Sequence, residues 1–214
     1  MKPTLYYAPN TCALASHIAF EEAGAEVDYV RLDLAKGDNL TPAYLKMNPK
    51  GRVPLVVTER GNLTESPAIL AWIAQTWPQA NLAPLNDPWA LAQVNSFNNY
   101  LSGSVHGLAF AGVFKSARFA DGEAAQAAVK AKALQSVKEA FDLIESKFSA
   151  DGWVHGKAYT TSDAYLAVLF GWLAFIGESL GSFPKVAAHA ARVLARPAVQ
   201  RALATEKGSA AGRS

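Results

Sequence analysis

The chain has 214 residues, a mass of 22.8 kDa and a formal net charge of +2, and 50% of its residues are hydrophobic. This composition can fill a buried core, which excludes a disordered chain, and the length fits one large domain or two small ones. Without a cluster of Lys and Arg, nucleic acid and membrane surfaces are not expected as main partners. The N-terminus does not resemble a signal peptide, and the longest uncharged stretch, Ala164 to Gly177, is too short to span a membrane, so we expect a cytoplasmic protein.

Residues 1–78 predict a small α/β domain. The expected elements are a strand at Thr4–Tyr7, a helix from Cys12 to about Ala23, a strand at Glu26–Asp33, a short helix from Thr41 to Met47, two strands between Val53 and Thr64, and a helix from Pro67 to about Thr76. Ser66 is the expected N-cap of the last helix, with Pro67 at its first position. The order predicts a parallel pair and an antiparallel hairpin in one mixed sheet with helices on its faces.

The remainder of the chain predicts only helices. Residues 79–87 contain Pro, Asn and Asp and are predicted to form a linker, residues 88–207 an all-α domain, and residues 208–214 a flexible tail. The expected helices run from Asp87 to about Lys115, Glu123 to Phe148, Thr160 to Gly177, Phe183 to Ala195 and Pro197 to Glu206. The segment from Thr160 to Asp163 has the form of a capping box before the third of these helices.

Cys12 is the only cysteine, which excludes an internal disulfide. It follows a strand and a turn at the start of a helix, where free N–H groups stabilise a thiolate and lower the thiol pKa. The alternative is a buried cysteine that acts as a small apolar residue. Residue 15 is Ala15, so Cys12 has no partner for a C-x-x-C cycle and can form only a mixed disulfide with an external thiol.

Two further features indicate a ligand site at a sheet edge. The extended backbone expected at Val53-Pro54 can pair with a peptide-like ligand. The N-terminus of the helix at Ser66 can hold a carboxylate or phosphate, because its N–H groups are unpaired. These features predict a site for a small anion or a peptide.

The first helix of the all-α half carries two stripes at α-helical spacing. The polar stripe is Asn95, Asn99, Ser102 and His106, and the expected core stripe is Val94, Phe97, Leu101, Val105 and Leu108. The polar stripe fits either the wall of a polar cleft or an ordinary solvated face. His106 is its one member that can exchange a proton near neutral pH. The histidines show no metal-ligand spacing, and no metal site is expected.

Several of these residues together match one family. The matching segments are Leu5-Tyr6-Tyr7-Ala8-Pro9 with Cys12, Ser16-His17-Ile18, Asn48-Pro49-Lys50-Gly51-Arg52-Val53-Pro54, Thr64-Glu65-Ser66, Asn99, Val105-His106, and Thr160 with Asp163-Ala164-Tyr165. On these segments nearly the whole chain resembles the cytosolic glutathione transferases, most closely the bacterial beta class.

The resemblance implies a thioredoxin-like first domain, a helical second domain, a homodimer and a site between the domains. In that site Val53, before a cis Pro54, would pair with the cysteinyl part of glutathione, and Glu65 and Ser66 would hold its γ-glutamyl end. Cys12 would lie at the glutathione sulfur. The other residues carried over are His106 and Asn99, which line the site, Lys36 near the glycine carboxylate, and Tyr7, Phe110 and Phe114 as a candidate electrophile pocket.

The implied activity is conjugation of glutathione, a co-substrate, to small hydrophobic electrophiles, with a detoxifying role and no other cofactor. Two alternatives stay open: thiol–disulfide exchange through a Cys12 mixed disulfide, and a non-catalytic protein that binds apolar ligands. The chain departs from the family pattern at Asn10-Thr11, Ala35 and Ser104, which bears on the thiol and the substrate pocket more than on glutathione binding.

Overall fold

The computed structural model describes residues 2–148 and 152–211. The contacts divide the chain into two units, the first formed by the residues up to Leu91 together with those from Val193 onward, and the second by Ala92–Arg192. The elements are β1 (Thr4–Tyr7), α1 (Ala13–Ala23), β2 (Asp28–Arg31), α2 (Pro42–Met47), β3 (Leu55–Thr58), β4 (Gly61–Thr64), α3 (Ser66–Thr76), α4 (Pro88–Tyr100), a π-helix (Leu101–Phe110), α5 (Ala111–Phe114), α6 (Glu123–Lys147), α7 (Thr161–Gly171), α8 (Pro184–Leu194) and α9 (Pro197–Ala211).

The first unit contains the predicted mixed sheet. Its strand order is β2-β1-β3-β4, with β1 parallel to β2 and antiparallel to β3, and with β3 antiparallel to β4. Leu5 in β1 lies between Tyr29 and Val56 and is fully buried, as is Leu55 of β3. Strand β2 is shorter than the predicted Glu26–Asp33, because its neighbour in the sheet, β1, offers four residues for pairing. The predicted α/β sheet domain and the helices after it are confirmed.

Helix α9 packs against α1, the first helix of the chain. Arg196, just before α9, donates to both carboxylate oxygens of Glu22, at 2.5 and 2.8 Å, and Arg201 donates to Glu21 at 2.8 Å. Glu206 reaches the fully buried His17, with 3.8 Å between Oε1 and Nδ1. These contacts group α9 with the sheet, whereas the sequence placed it in the helical domain. The predicted linker and domain boundaries stay predictions.

The C-terminal helix is also longer than predicted. It continues to Ala211, past the predicted start of the flexible tail at Gly208. The alanines at 210 and 211 have the highest helix propensity, and no proline interrupts the segment. The last three positions of that predicted tail, 212–214, lie outside the described residues.

The predicted long helix of the second half changes its hydrogen bonding midway. Residues Leu101–Phe110 form a π-helix, which closes each turn over five residues and therefore turns less per residue than an α-helix. Its buried positions are consequently Leu101, Val105, Ala109 and Phe110, whereas Leu108 of the predicted core stripe is 62% exposed. The predicted alignment of Asn95, Asn99, Ser102 and His106 on one face stays a prediction, because the change of turn after Tyr100 alters the angles between these residues.

The helix starts show one confirmed prediction and one correction. The capping box is present, since Asp163 Oδ2 accepts from the Thr160 N–H at 2.7 Å and from its hydroxyl at 3.0 Å. At α3 the N-cap is Glu65 rather than the predicted Ser66. The reason is that the first hydrogen bond of the helix runs from the Ile69 N–H to the Glu65 carbonyl, at 3.0 Å.

The two ion pairs between α1 and the α9 region differ in burial and form a matched pair for mutation. In Arg196→Met, the Glu22 carboxylate, 9% exposed, would stay covered without its partner, so we expect the free energy of unfolding to fall by about 2 kcal/mol. Arg201 is 57% exposed, so Arg201→Met should cost less than about 1 kcal/mol. Urea denaturation measures both, and equal losses would contradict the assigned difference.

The glycines of the π-helix provide a second matched pair. A Cβ on Gly107 would lie 2.9 Å from the Ser102 carbonyl oxygen, whereas a Cβ on Gly103 meets nothing within 4 Å. Gly103→Ala should therefore stabilise the protein by up to about 1 kcal/mol, through helix propensity. Gly107→Ala should destabilise it by about 1–3 kcal/mol, because the turn must shift. If Gly107→Ala stabilises the protein in urea denaturation as much as Gly103→Ala does, the π-helical turn is not present in solution.

Candidate functional site

The loop before strand β3 is held by hydrogen bonds to one carbonyl. The Arg52 carbonyl accepts from the Tyr44 hydroxyl at 2.7 Å and from Asn48 Nδ2 at 2.6 Å. Both donor residues are 2% exposed, so water can hardly replace these hydrogen bonds. Because this carbonyl is held, the position of the next residue is constrained as well. That residue is Val53, whose main chain is one of the predicted ligand contacts.

Gly51 makes the same loop possible. It has a φ of +59°, and a Cβ there would lie 3.0 Å from Leu40 Cδ2 and 3.3 Å from the Asn39 carbonyl oxygen. Asn39 Nδ2 also donates to the Gly51 carbonyl at 2.7 Å. The peptide between Val53 and Pro54 is cis, as the resemblance implies. The N-P-K-G segment of the sequence is therefore the support of the site.

Cys12, Val53 and Ser66 come together in the first unit. Cys12 is the N-cap of α1, and its Sγ lies 3.7 Å from the Val53 carbonyl oxygen, to which the thiol donates. The Ser66 side chain, at the start of α3 and 5% exposed, is hydrogen-bonded to the same thiol. Three residues from separate parts of the chain, all predicted as site residues, thus meet around one sulfur atom.

The thiol of Cys12 is protonated near neutral pH. Burial raises the pKa of Cys12 from 9.0 to about 11, and the negative charge of Glu65 acts in the same direction. The Ser66 hydrogen bond and the positive charge of Arg52 lower this pKa, but they do not outweigh the burial. The expected lowering of the thiol pKa by the helix N-terminus is therefore not found, because Cys12 is buried, at 7% exposed. The reactive role and the structural role of Cys12 both stay predictions.

Glu65 and Lys36, two predicted contacts for the ends of the ligand, are both exposed. Glu65 precedes Ser66 with a φ of +72°, and its Oε1 pairs with Lys50 Nζ at 2.6 Å. Lys36 lies in the turn after β2, is 67% exposed and pairs with Asp33 at 3.5 Å. The sequence analysis assigned no role to Lys50, because a lysine in a loop gives no signal of its partners.

In the second unit, His106 lies in the π-helix and contacts Trp172. The two ring centroids are 4.9 Å apart in an edge-on arrangement, and Trp172 is 7% exposed. Trp172 also makes edge contacts with Phe110 and Phe114, at 5.4 and 6.0 Å. From the sequence, Trp172 was expected only as one of the aromatic residues of the helical half, which could bind apolar ligands, and its contact with His106 was not predicted. Its ring lies against the one predicted proton-exchanging side chain.

The remaining predicted residues differ in exposure. Asn99 lies on the exposed side of α4. Of the candidate electrophile pocket, Tyr7 is 1% exposed and packs against the rings of His17 and Tyr29, while Phe110 is fully buried. Only Phe114, 45% exposed and stacked on Phe110, has a free ring surface. Tyr7 and Phe110 are therefore core residues of the structure, and their role in an electrophile pocket stays a prediction.

Within residues 2–148 and 152–211, no group of three or more His, Cys, Asp or Glu side chains is arranged to hold a metal ion. Over the same residues, none of the helices combines the length and apolar character needed to cross a membrane.

The protonated thiol leads to a test by alkylation. Because Cys12 is the only cysteine, iodoacetamide incorporation reports on it alone. At pH 8 its rate should be at least about tenfold below that of free cysteine, and it should keep rising towards pH 11, because only the thiolate reacts. In urea the unfolded chain should react like free cysteine, and Cys12→Ala should incorporate nothing. A rate that levels off near pH 7 would contradict the assigned burial.

Comparisons with known proteins place the chain in a family. Residues 1–75 match the N-terminal domain of glutathione S-transferases, and residues 105–197 match their C-terminal domain. Glutathione S-transferase GstA of Escherichia coli O157:H7 is 32% identical over 209 residues, which cover 94% of this chain and 98% of the relative.

Solved structures of glutathione transferases are also similar to this chain. A glutathione transferase homolog from Sulfitobacter, with bound glutathione, shares 34% identity with a TM-score of 0.89 over 97% of this chain and 98% of its own. The bacterial beta class glutathione S-transferase of Sphingomonas chungbukensis shares 32% identity with a TM-score of 0.84, over 95% of this chain and 98% of its own. The chain therefore belongs to the glutathione S-transferase family, a family of transferase enzymes whose substrate is glutathione.

Proposed function

We propose that the protein conjugates the thiolate of glutathione to small hydrophobic electrophiles. The observation that carries this proposal is the meeting of Cys12, the Val53 carbonyl and Ser66 around one point. A peptide edge, a thiol that can donate a hydrogen bond and a helix N-terminus correspond to the backbone, the sulfur and the γ-glutamyl carboxylate of glutathione. The glutathione bound to the Sulfitobacter homolog supports the same ligand.

Each contact has a distinct task in binding. The Val53 main chain pairs with the cysteinyl part of glutathione, as an added strand would. Ser66, with the free N–H groups at the start of α3, holds the γ-glutamyl carboxylate, and Glu65 attracts the ammonium group on the same carbon. These contacts fix the position of the glutathione sulfur next to Cys12.

Cys12 acts as a hydrogen-bond donor in this proposal. With a pKa of about 11, its thiol keeps its proton at neutral pH and can turn from the Val53 carbonyl to the glutathione sulfur. A donor at that sulfur favours the ionised form, which lowers the pKa of the bound glutathione thiol. The ionised sulfur is the nucleophile that attacks the electrophile.

The main alternative is thiol–disulfide exchange through a Cys12 mixed disulfide. That reaction needs Cys12 itself as a thiolate, and burial disfavours the thiolate. Non-catalytic binding of apolar ligands is the third possibility, supported by the exposed ring of Phe114. The roles of His106, Asn99 and Lys36, together with the homodimer, the cytoplasmic location and the detoxifying role, stay predictions from the sequence.

The proposal predicts that the protein is retained on immobilised glutathione and accelerates conjugation of an activated aryl halide. Cys12→Ala should lower kcat/KM for glutathione by about tenfold, because it removes one hydrogen bond to a charged sulfur. Cys12→Ser should stay within about threefold of the native protein, because its hydroxyl can still donate. Initial rates over a range of glutathione concentrations measure all three proteins.

The same variants separate the alternatives. Exchange with a glutathionylated disulfide should be lost in both variants, because serine cannot form a disulfide. Retention on glutathione without turnover above the uncatalysed rate would leave only the binding function. If Cys12→Ser and Cys12→Ala lose conjugation equally, Cys12 does not act as a hydrogen-bond donor.

A further inference from the structure

Lys50 connects the two segments that carry the proposed glutathione site. Its Nζ lies 2.6 Å from Thr64 Oγ1 and 2.6 Å from Glu65 Oε1. Its main chain belongs to the loop that leads into Val53, whereas Glu65 is the N-cap of helix α3. One side chain therefore joins the backbone that precedes Val53 to the start of α3.

The main chain of Lys50 is itself held in place. Its N–H donates to Asn48 Oδ1 at 3.2 Å, and the next carbonyl, that of Gly51, accepts from Asn39 Nδ2 at 2.7 Å. Asn48 is 2% exposed and so belongs to the interior rather than to the mobile surface. A lysine on a fixed backbone loses less conformational freedom when it binds a partner than one on a free loop.

Glu65 is the partner that needs this contact. It has a φ of +72°, a backbone conformation that is costly for any residue other than glycine and persists only with support from its surroundings. Its side chain is 62% exposed, so it would be free to change rotamer in solvent if it had no partner. The Lys50 ammonium holds Oε1, and the exposure of the side chain leaves the carboxylate accessible to a ligand.

We propose that Lys50 is a positioning residue for glutathione. It holds the Glu65 carboxylate in the orientation that accepts the ammonium group of the γ-glutamyl end, while the carboxylate of that end binds at Ser66 and the start of α3. Lys50 acts through Glu65 rather than by touching the ligand. This inference rests on the proposed function, since it takes glutathione as the ligand.

The test compares two ligands by isothermal titration calorimetry: glutathione and N-glutaryl-cysteinylglycine, which is glutathione without its amino group. Lys50→Met should weaken glutathione binding by about fivefold, the scale of a partly exposed ion pair. It should change binding of the analogue by less than about twofold, because that ligand has no ammonium for Glu65 to accept. In steady-state kinetics the KM for glutathione should rise by the same factor while kcat stays unchanged.

Three variants control this experiment. Lys50→Arg keeps a charged donor and should bind glutathione within about twofold of the native protein. Lys46→Met removes the same charge from an exposed lysine of the neighbouring helix α2, and it should change the binding of neither ligand. Lys50→Gln keeps a donor for Thr64 without the charge and should weaken glutathione binding but not binding of the analogue. It serves as the test if Lys50→Met fails to fold.

Each other outcome has one meaning. Unchanged glutathione binding in Lys50→Met, or equal weakening of both ligands, would overturn the positioning role while the proposed function stands. Tighter glutathione binding would also overturn it, because Lys50 would then compete with the ligand for Glu65. Failure of the native protein to bind glutathione would overturn the proposed function, and this inference with it.

Discussion

The carbonyl of Arg52, which accepts two hydrogen bonds, is the group on which the candidate site depends. Two donors that are 2% exposed, Tyr44 and Asn48, hold it at 2.7 and 2.6 Å. Breaking either hydrogen bond would leave a buried side-chain donor without its acceptor, which costs about 1–3 kcal/mol. These bonds favour the loop conformation that brings the Val53 carbonyl to the Cys12 thiol and the Lys50 ammonium to Glu65.

The environment of Cys12 shows how burial and helix position oppose each other. An N-terminal position favours the thiolate through nearby N–H groups, but covering the sulfur removes the water that would stabilise its charge. Burial outweighs the helix position here, and the pKa of the Cys12 thiol is raised to about 11. A covered thiol of this kind keeps its proton at neutral pH.

The sequence predicted those parts of the fold that depend on neighbouring residues. The strand at Thr4–Tyr7, the capping box at Thr160 and the mixed sheet follow from local patterns, and the structure has them. In the site, Cys12, Val53 and Ser66 were assigned from a helix start, a proline-containing strand and the resemblance to a family, and the structure brings these three together.

Features that the local apolar pattern does not encode were missed. The π-helix around His106 differs from an α-helix in which carbonyl each N–H reaches and in its turn per residue, and the apolar pattern did not signal this change. Lys50 lies 15 residues from Glu65, and Arg196 lies 174 residues from Glu22, so no periodicity connects them. The burial of Cys12 likewise results from the packing of the whole unit, which local propensity does not describe.

The pairing of α1 with α9 has a consequence for the order of folding during synthesis. Helix α1 ends at Ala23 and α9 begins at Pro197, so a ribosome makes the sheet and its first helices long before the segment that covers Glu22 and His17. Domains generally form as units while the chain emerges. In this chain the nascent first unit carries an uncovered helix face throughout translation of the second, and it closes only when the last helix arrives.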